Sequence, residues 1–419
     1  MSKGIIISAL LCLGTAIAAT GQNSTSSPYS RYGYGSLVDG TSAQGRGMGG
    51  LSIGLRDKQH TNFGNPATYT AIDSLNFRFE VGASLRSSFY SSGDSKSSDF
   101  SGNLERIGLQ IPIKNWMGIA LGMEPYSIVG YNYSDSEKEI KVNNNDKSVD
   151  TYYGEGGINQ VIVGLGFRPW KPFSFGCNLK FLFGDITTQS QVTFNNSQNK
   201  NFYHPTLQSN LIDIHDFAIS FGVQYEIETG EDKSLVLGAT FEPKNKLNAE
   251  ASKTIVTTGI DTLTNEYDSA FELPFTLGLG ASYKIKNRWT FGVDYKIQKW
   301  SDAEYFGEKV FEDRTKLNLG AELRPNSMSK KYFNRVAYRW GFSTANTYYK
   351  VHGDTNRENL ITAGFGFPLK RGLNPTVINF TVEYGFTSLS NKDMMSDRFL
   401  RFVLNATLNE KWFVRRRLE

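Results

Sequence analysis

The stretch Trp289-Thr-Phe-Gly-Val-Asp-Tyr-Lys-Ile297 sets the terms for the whole chain. Trp289, Phe291, Val293, Tyr295 and Ile297 fall on one face, and Thr290, Gly292, Asp294 and Lys296 fall on the other. Side chains of a strand alternate with a period of two, so this segment has one face that needs a dry neighbour and one that needs polar company. Between about residue 75 and residue 408 the pattern recurs in fourteen segments. Their apolar faces run from Phe77, Phe79, Val81, Ala83 and Leu85 in the first to Leu400, Phe402, Leu404, Ala406 and Leu408 in the last. The eleventh is read as Val336, Tyr338, Trp340 and Phe342. Such a series reads as all-β: a 14-stranded antiparallel transmembrane β-barrel, apolar faces toward lipid and polar faces toward a lumen, with an N-terminal plug or hatch in that lumen.

Composition bounds the alternatives. The 419 residues could make two or three domains, but no linker divides the alternating region, which is read as one unit. No mature segment approaches the roughly 18 to 20 continuous apolar residues of a spanning helix. A mean hydropathy of -0.37 does not separate a soluble protein from a barrel, because only alternate strand residues of a barrel meet lipid. The net charge of +4 is spread without a basic stripe, so nucleic acid is not an expected partner. Of the two cysteines, Cys12 falls in the leader and Cys177 on an apolar strand face, so no internal disulfide is expected.

In chain order, Lys3, an apolar run from Ile5 to Ala19, and the small residues before Gln22 have the layout of a secretory signal, residues 1–21. Residues 22–74 lack alternation and are rich in glycine, including Gly45, Gly47, Gly49, Gly50 and Gly54; Asn65-Pro66-Ala67 comes near their end. Tight turns in a folded plug, with a short helix after Pro66, fit these residues. The barrel is expected over residues 75–410, and residues 411–419, with Arg415-Arg416-Arg417, form a periplasmic tail.

Connections alternate in length. Lys114-Asn115, residues 168–172 and residues 286–288 are short, whereas residues 131–157, 195–210 and 244–269 are long and polar. Short periplasmic turns and long external loops are what an outer-membrane barrel shows. Trp116, Trp170 and Trp289 abut the short turns and Trp412 follows the last strand, the level that indole prefers. Glycines such as Gly118, Gly164, Gly222, Gly238, Gly320 and Gly341 fall on or next to the lumen face, either to clear space for residues 22–74 or to relieve curvature. Arg78, Glu80, Arg86, Arg335, Arg339, Glu322 and Glu383 are also placed on the lumen face, where paired charges form structural ladders.

With Gly49-Gly50, Asn65-Pro66-Ala67, the opening Ser27-Pro28-Tyr29-Ser30-Arg31-Tyr32-Gly33 and fourteen strands on the page, the chain resembles the FadL family of outer-membrane proteins (the FadL/TodX group), in its Bacteroidota, PorV-like form. The resemblance implies a bacterial outer-membrane location and passive transport of small hydrophobic compounds through a plugged lumen with a side portal at a kinked third strand. Gly122, Pro125 and Gly130 are the residues here that fit such a portal, since proline cannot donate to a ladder. It also implies an alternative: a non-transporting accessory subunit of a secretion or barrel-assembly machine. Partners are then outer-membrane lipid, a hydrophobic small molecule, or other outer-membrane proteins. His60, His204, His215 and His352 show no metal-ligand spacing and no Ser/His pair stands out, so neither an enzyme nor a cofactor is expected.

Overall fold

A computed structural model describes residues 27–74, 76–92, 95–135, 137–139, 147–194, 203–351, 353–372, 375–389 and 395–411. The expected signal sequence, Leu75, His352, Trp412 and most of the expected tail lie outside the described residues. Fourteen antiparallel strands close into one barrel. They are β1 (Asn76–Ser92), β2 (Ser95–Lys114), β3 (Met117–Pro125 and Ser127–Ser134), β4 (Lys147–Gly156 and Asn159–Phe167) and β5 (Phe173–Phe194). Next come β6 (Thr206–Gly230), β7 (Lys233–Glu242 and Ala249–Thr257), β8 (Asp261–Asp268 and Thr276–Ile285), β9 (Trp289–Gln298) and β10 (Arg314–Leu323). The last are β11 (Ala337–Asn346), β12 (Arg357–Pro368), β13 (Val377–Ser388) and β14 (Ser396–Lys411). β1 pairs with β14 from Asn76↔Lys411 to Ser91↔Ser396, which closes the cylinder and removes the free edges of an open sheet.

The two-residue period decides which way each side chain points. Leu121, Val163, Leu179, Phe291, Val293 and Phe402 are exposed on the outside, while their neighbours Ala120, Ile162, Asn178, Thr290, Asp294 and Val403 are buried. Trp116, Trp170 and Trp289 are exposed beside the short turns. No helix among the described residues is long and apolar enough to cross a membrane.

The structure corrects three expectations. The polar stretches 131–157 and 244–269 are largely strand: residues Ser127–Ser134 pair with Lys147–Gly156, and Ala249–Thr257 with Asp261–Asp268. Beyond the lipid-facing belt the outward positions turn polar, as at Asn132 and Ser134, while Val129, Tyr131, Ala249 and Ala251 are buried inward and the ladder continues. Val336 is 1% exposed and lies inside, so the eleventh apolar face begins at Tyr338. Arg335 precedes β11 and stacks over the Tyr332 ring at 5.0 Å instead of joining the lumen ladder.

Candidate functional site

Residues 27–74 run through the bore and bond to strands around its circumference. The segment has three short helical pieces, Pro28–Arg31, Ala43–Gly47 and Pro66–Ala71. Asn65 caps the third: its Oδ1 accepts from Ala67 N at 3.1 Å, and Pro66 fills a first-turn position that needs no donor. The Asn65 amide then donates to Ile53 O at 2.8 Å and to Val223 O of β6 at 3.3 Å, tying the motif to its own segment and to the wall. Ala67 is fully buried, and its carbonyl accepts from Arg56 Nη1 at 3.1 Å.

Gly49 and Gly50 turn with φ of +73° and +89°, a region that side chains disfavour. A Cβ on Gly49 would lie 2.7 Å from Leu319 O and from the backbone of Phe342, so the turn is wedged between β10 and β11. Opposite it, a Cβ at Gly341 would lie 1.9 Å from Gly49 N. Likewise Gly238 sits against Ile53 O, Gly222 against Asn65 and Gly118 against Tyr69 O. These wall glycines make room for the inner segment.

One wall residue that sequence reasoning left among the polar positions of β9 is a main anchor. The Asp294 carboxylate accepts three consecutive backbone N–H groups, from Ser52 at 2.6 Å, Ile53 at 2.8 Å and Gly54 at 3.0 Å. Its only sequence signal is a lone acid on the lumen face of a strand.

Charged bridges complete the filling. Arg46 joins Glu105 of β2 at 2.5 Å to Glu383 of β13 at 3.3 Å, and Arg401 holds Glu383 from β14 at 2.6 Å. Glu322 of β10 receives Arg339 at 2.7 Å, Arg324 at 3.0 Å and Gln44 of the inner segment at 3.1 Å. Arg106 pairs with Glu124, and Asp39 takes Lys316 and, at 3.3 Å, Lys296. Burial disfavours charge on Asp39, but the two lysines outweigh it and hold the carboxyl well below its usual range. Removing one partner of such a buried pair strands the other, at roughly 3 to 5 kcal/mol. Glu322→Ala is therefore expected to destabilise the folded protein by about that much, read as a lower denaturant midpoint, because among the described residues Arg339 then keeps only Asn379, at 2.7 Å.

At the opposite end from the short turns, aromatic rings close over the segment. Trp300 is fully buried, stacks on Tyr348 at 4.7 Å and meets Phe311 edge-on at 5.6 Å. The Tyr348 hydroxyl donates to Gly35 O at 2.7 Å and Tyr32 O at 3.0 Å. Burial pushes the phenols of Tyr348 and Tyr349 well above their ordinary range, so both stay neutral. Beneath this cap a cavity of about 180 Å³ remains, lined by Asp39, Arg46, Arg86, Arg314, Lys316 and Glu383 among others. No group of three or more potential metal ligands occurs among the described residues.

The three residues expected at a portal have different surroundings. A Cβ on Gly122 would strike the Phe63 ring of the inner segment at 2.2 Å. Pro125 stands where the wall parts: β2 pairs with β3 only between Ile107↔Met123 and Lys114↔Met117, while β3 stays paired with β4 through Pro125↔Asn159. β3 then resumes at Ser127 without returning to β2. Gly130 is held from inside, its N–H donating to Ser30 Oγ at 3.1 Å and its carbonyl accepting from Ser27 N at 3.2 Å. Beside the break lies an open cavity of about 560 Å³ lined by Asn103, Leu104, Pro125, Ile128, Tyr131 and Phe183 among others.

Three comparisons place this architecture. A family model described as BamG matches residues 1–419. Among curated proteins no sequence matches it as a relative. Among solved structures, the toluene transporter TbuX of Ralstonia pickettii is similar with a TM-score of 0.59 at 13% identity, covering 88% of this chain and 98% of that one. The P. putida toluene transporter TodX gives 0.56 at 15%, covering 90% and 99%. A Pseudomonas aeruginosa FadL homologue gives 0.57 at 12%, covering 88% and 98%. At these identities the likeness is one of fold: the chain has the barrel of outer-membrane FadL-type proteins.

Proposed function

The chain belongs to the BamG family, and from that premise we propose that it is a non-enzymatic accessory subunit of a larger outer-membrane assembly, of the barrel-assembly or secretion kind, and not a free-standing channel. The observation that carries this reading is the filling of the bore. Arg46 spans from β2 to β13 through two carboxylates, and Glu322 binds both the wall and the inner segment. The cavity left beneath the aromatic cap is small and lined with charge. An apolar solute passing there would have to desolvate ionised groups without offering them a hydrogen bond, which costs several kcal/mol per group. A rigid, plugged cylinder is suited to holding a surface in the membrane.

The break in the wall beside Pro125 favours a second reading, in which small hydrophobic compounds pass between the lumen and the membrane at Gly122, Pro125 and Gly130. The hydrocarbon channels that share the fold support it. Native purification and uptake separate the two. Affinity purification from native outer membranes in mild detergent is expected to return partner proteins in fixed stoichiometry, and deletion of the gene to leave uptake of a labelled long-chain fatty acid or toluene unchanged. A chain that purifies alone, from cells whose uptake falls on deletion, establishes the channel instead.

A further inference from the structure

We propose that the upper edge of β2 is a docking edge, on which an extended strand of a neighbouring outer-membrane protein pairs and closes the wall. The inference rests on the subunit reading and names how the partner is held.

Two local features part the wall. On β2 the register with β1 slips between Gly82↔Arg106 and Ala83↔Leu104, leaving Glu105 as an extra residue whose carboxylate turns inward to Arg46. On β3 the ladder is interrupted after Pro125. Above these points β2 keeps its pairing with β1 up to Ser92↔Ser95, but on its other side Lys96 to Arg106 have no backbone partner among the described residues.

The two rims of the gap differ. The β3 rim is served from inside: Ser36 and Leu37 pair with Ile128 and Ser127, and Ser27 and Ser30 bond to Gly130. Among the described residues the β2 rim has no such cover. Every second residue of a strand turns its N–H and C=O to one side, so this rim presents a row of open donors and acceptors. Two outward side chains in the lower part of this stretch are apolar, Phe100 65% and Leu104 42% exposed, so the row begins within the lipid-facing belt, while Lys96 and Ser98 above them are polar. A lipid chain supplies neither donors nor acceptors, and lipid-exposed backbone left unpaired at that depth is not tolerated. A peptide strand supplies both.

Side chains specify the strand further. Inward from the rim stand Asn103, Ser101 and Asp99, and one carboxylate oxygen of Asp99 is buried without a hydrogen-bond partner. The matching strand is apolar outward and carries a donor inward, facing Asp99. Room for it exists, since the 560 Å³ cavity beside Leu104 is followed upward by one of about 410 Å³ between Lys96–Asp99 and Tyr131–Ser134.

The test uses the full-length protein in native outer membranes, with a photo-crosslinking phenylalanine analogue placed in turn at Ser98, Phe100 and Leu104, and at Leu279 on the intact wall as a control. Peptide mapping is expected to join the three edge positions to one partner segment, the partner residue stepping along that segment as the edge position steps along β2. The Leu279 position is expected to give no such ladder. Crosslinks to lipopolysaccharide or phospholipid, or to partner residues in no register, overturn the docking edge. If fixed-stoichiometry partners still co-purify in that case, the subunit reading stands and only its docking site is wrong; if none co-purifies, both fall.

Discussion

Asp294→Ala is expected to release the inner segment from the wall while leaving the barrel closed. The carboxylate accepts from Ser52, Ile53 and Gly54, so its loss orphans three buried N–H groups at once. Hydrogen bonds to a charged group contribute roughly 1.5 to 3 kcal/mol each and do not add fully, which puts the loss at about 3 to 5 kcal/mol. The ladders of β9 with β8 and β10 run through Asp294 by backbone groups alone, so the cylinder keeps its pairing. Hydrogen exchange should therefore rise over residues 47–70 while heat-modifiable gel migration stays that of a folded barrel. Asp294→Asn keeps one acceptor oxygen and should fall between. Unchanged protection in the alanine variant would show that the three bonds do not hold the segment.

Gly341→Val probes the same contact from the steric side. The added Cβ would meet Gly49 N at 1.9 Å and Met48 C at 2.2 Å, backbone atoms in a turn that has no slack between β10 and β11. Displacing them exceeds the roughly 1 to 3 kcal/mol usual for overpacking, because a whole turn must leave its groove. Limited proteolysis is expected to cut near residues 47–50 in this variant and not in the parent. Gly102→Ala on β2 is the control: its nearest neighbour is Leu85 Cδ2 at 3.4 Å, an ordinary contact with a flexible side chain. Equal resistance of Gly341→Val and Gly102→Ala would remove the steric account of the wall glycines.

How much of this could be read in advance depended on range. The strand faces were legible because outward Phe291 and inward Asp294 differ by position within a few residues of chain. Short turns were legible from the brevity of segments such as residues 286–288. Where exposed and half-buried positions do not alternate, as at Lys147–Gly156, the period carries no information and strand looks like loop. Trp300 and Tyr348, in the connections after β9 and β11, gave no sign of packing on one another, since nothing in either neighbourhood refers to the other.

Fold class, strand direction and the presence of a glycine-lined bore follow from the sequence by itself, because they rest on a local period and on side-chain size. Tertiary structure alone decided that Asp294 clasps residues more than two hundred positions earlier, that Arg46 is shared between Glu105 and Glu383, and that β2 parts from β3 while the inner segment covers only one rim. Those outcomes depend on which distant atoms arrive at hydrogen-bonding distance once the cylinder closes, and no single stretch of chain encodes that meeting.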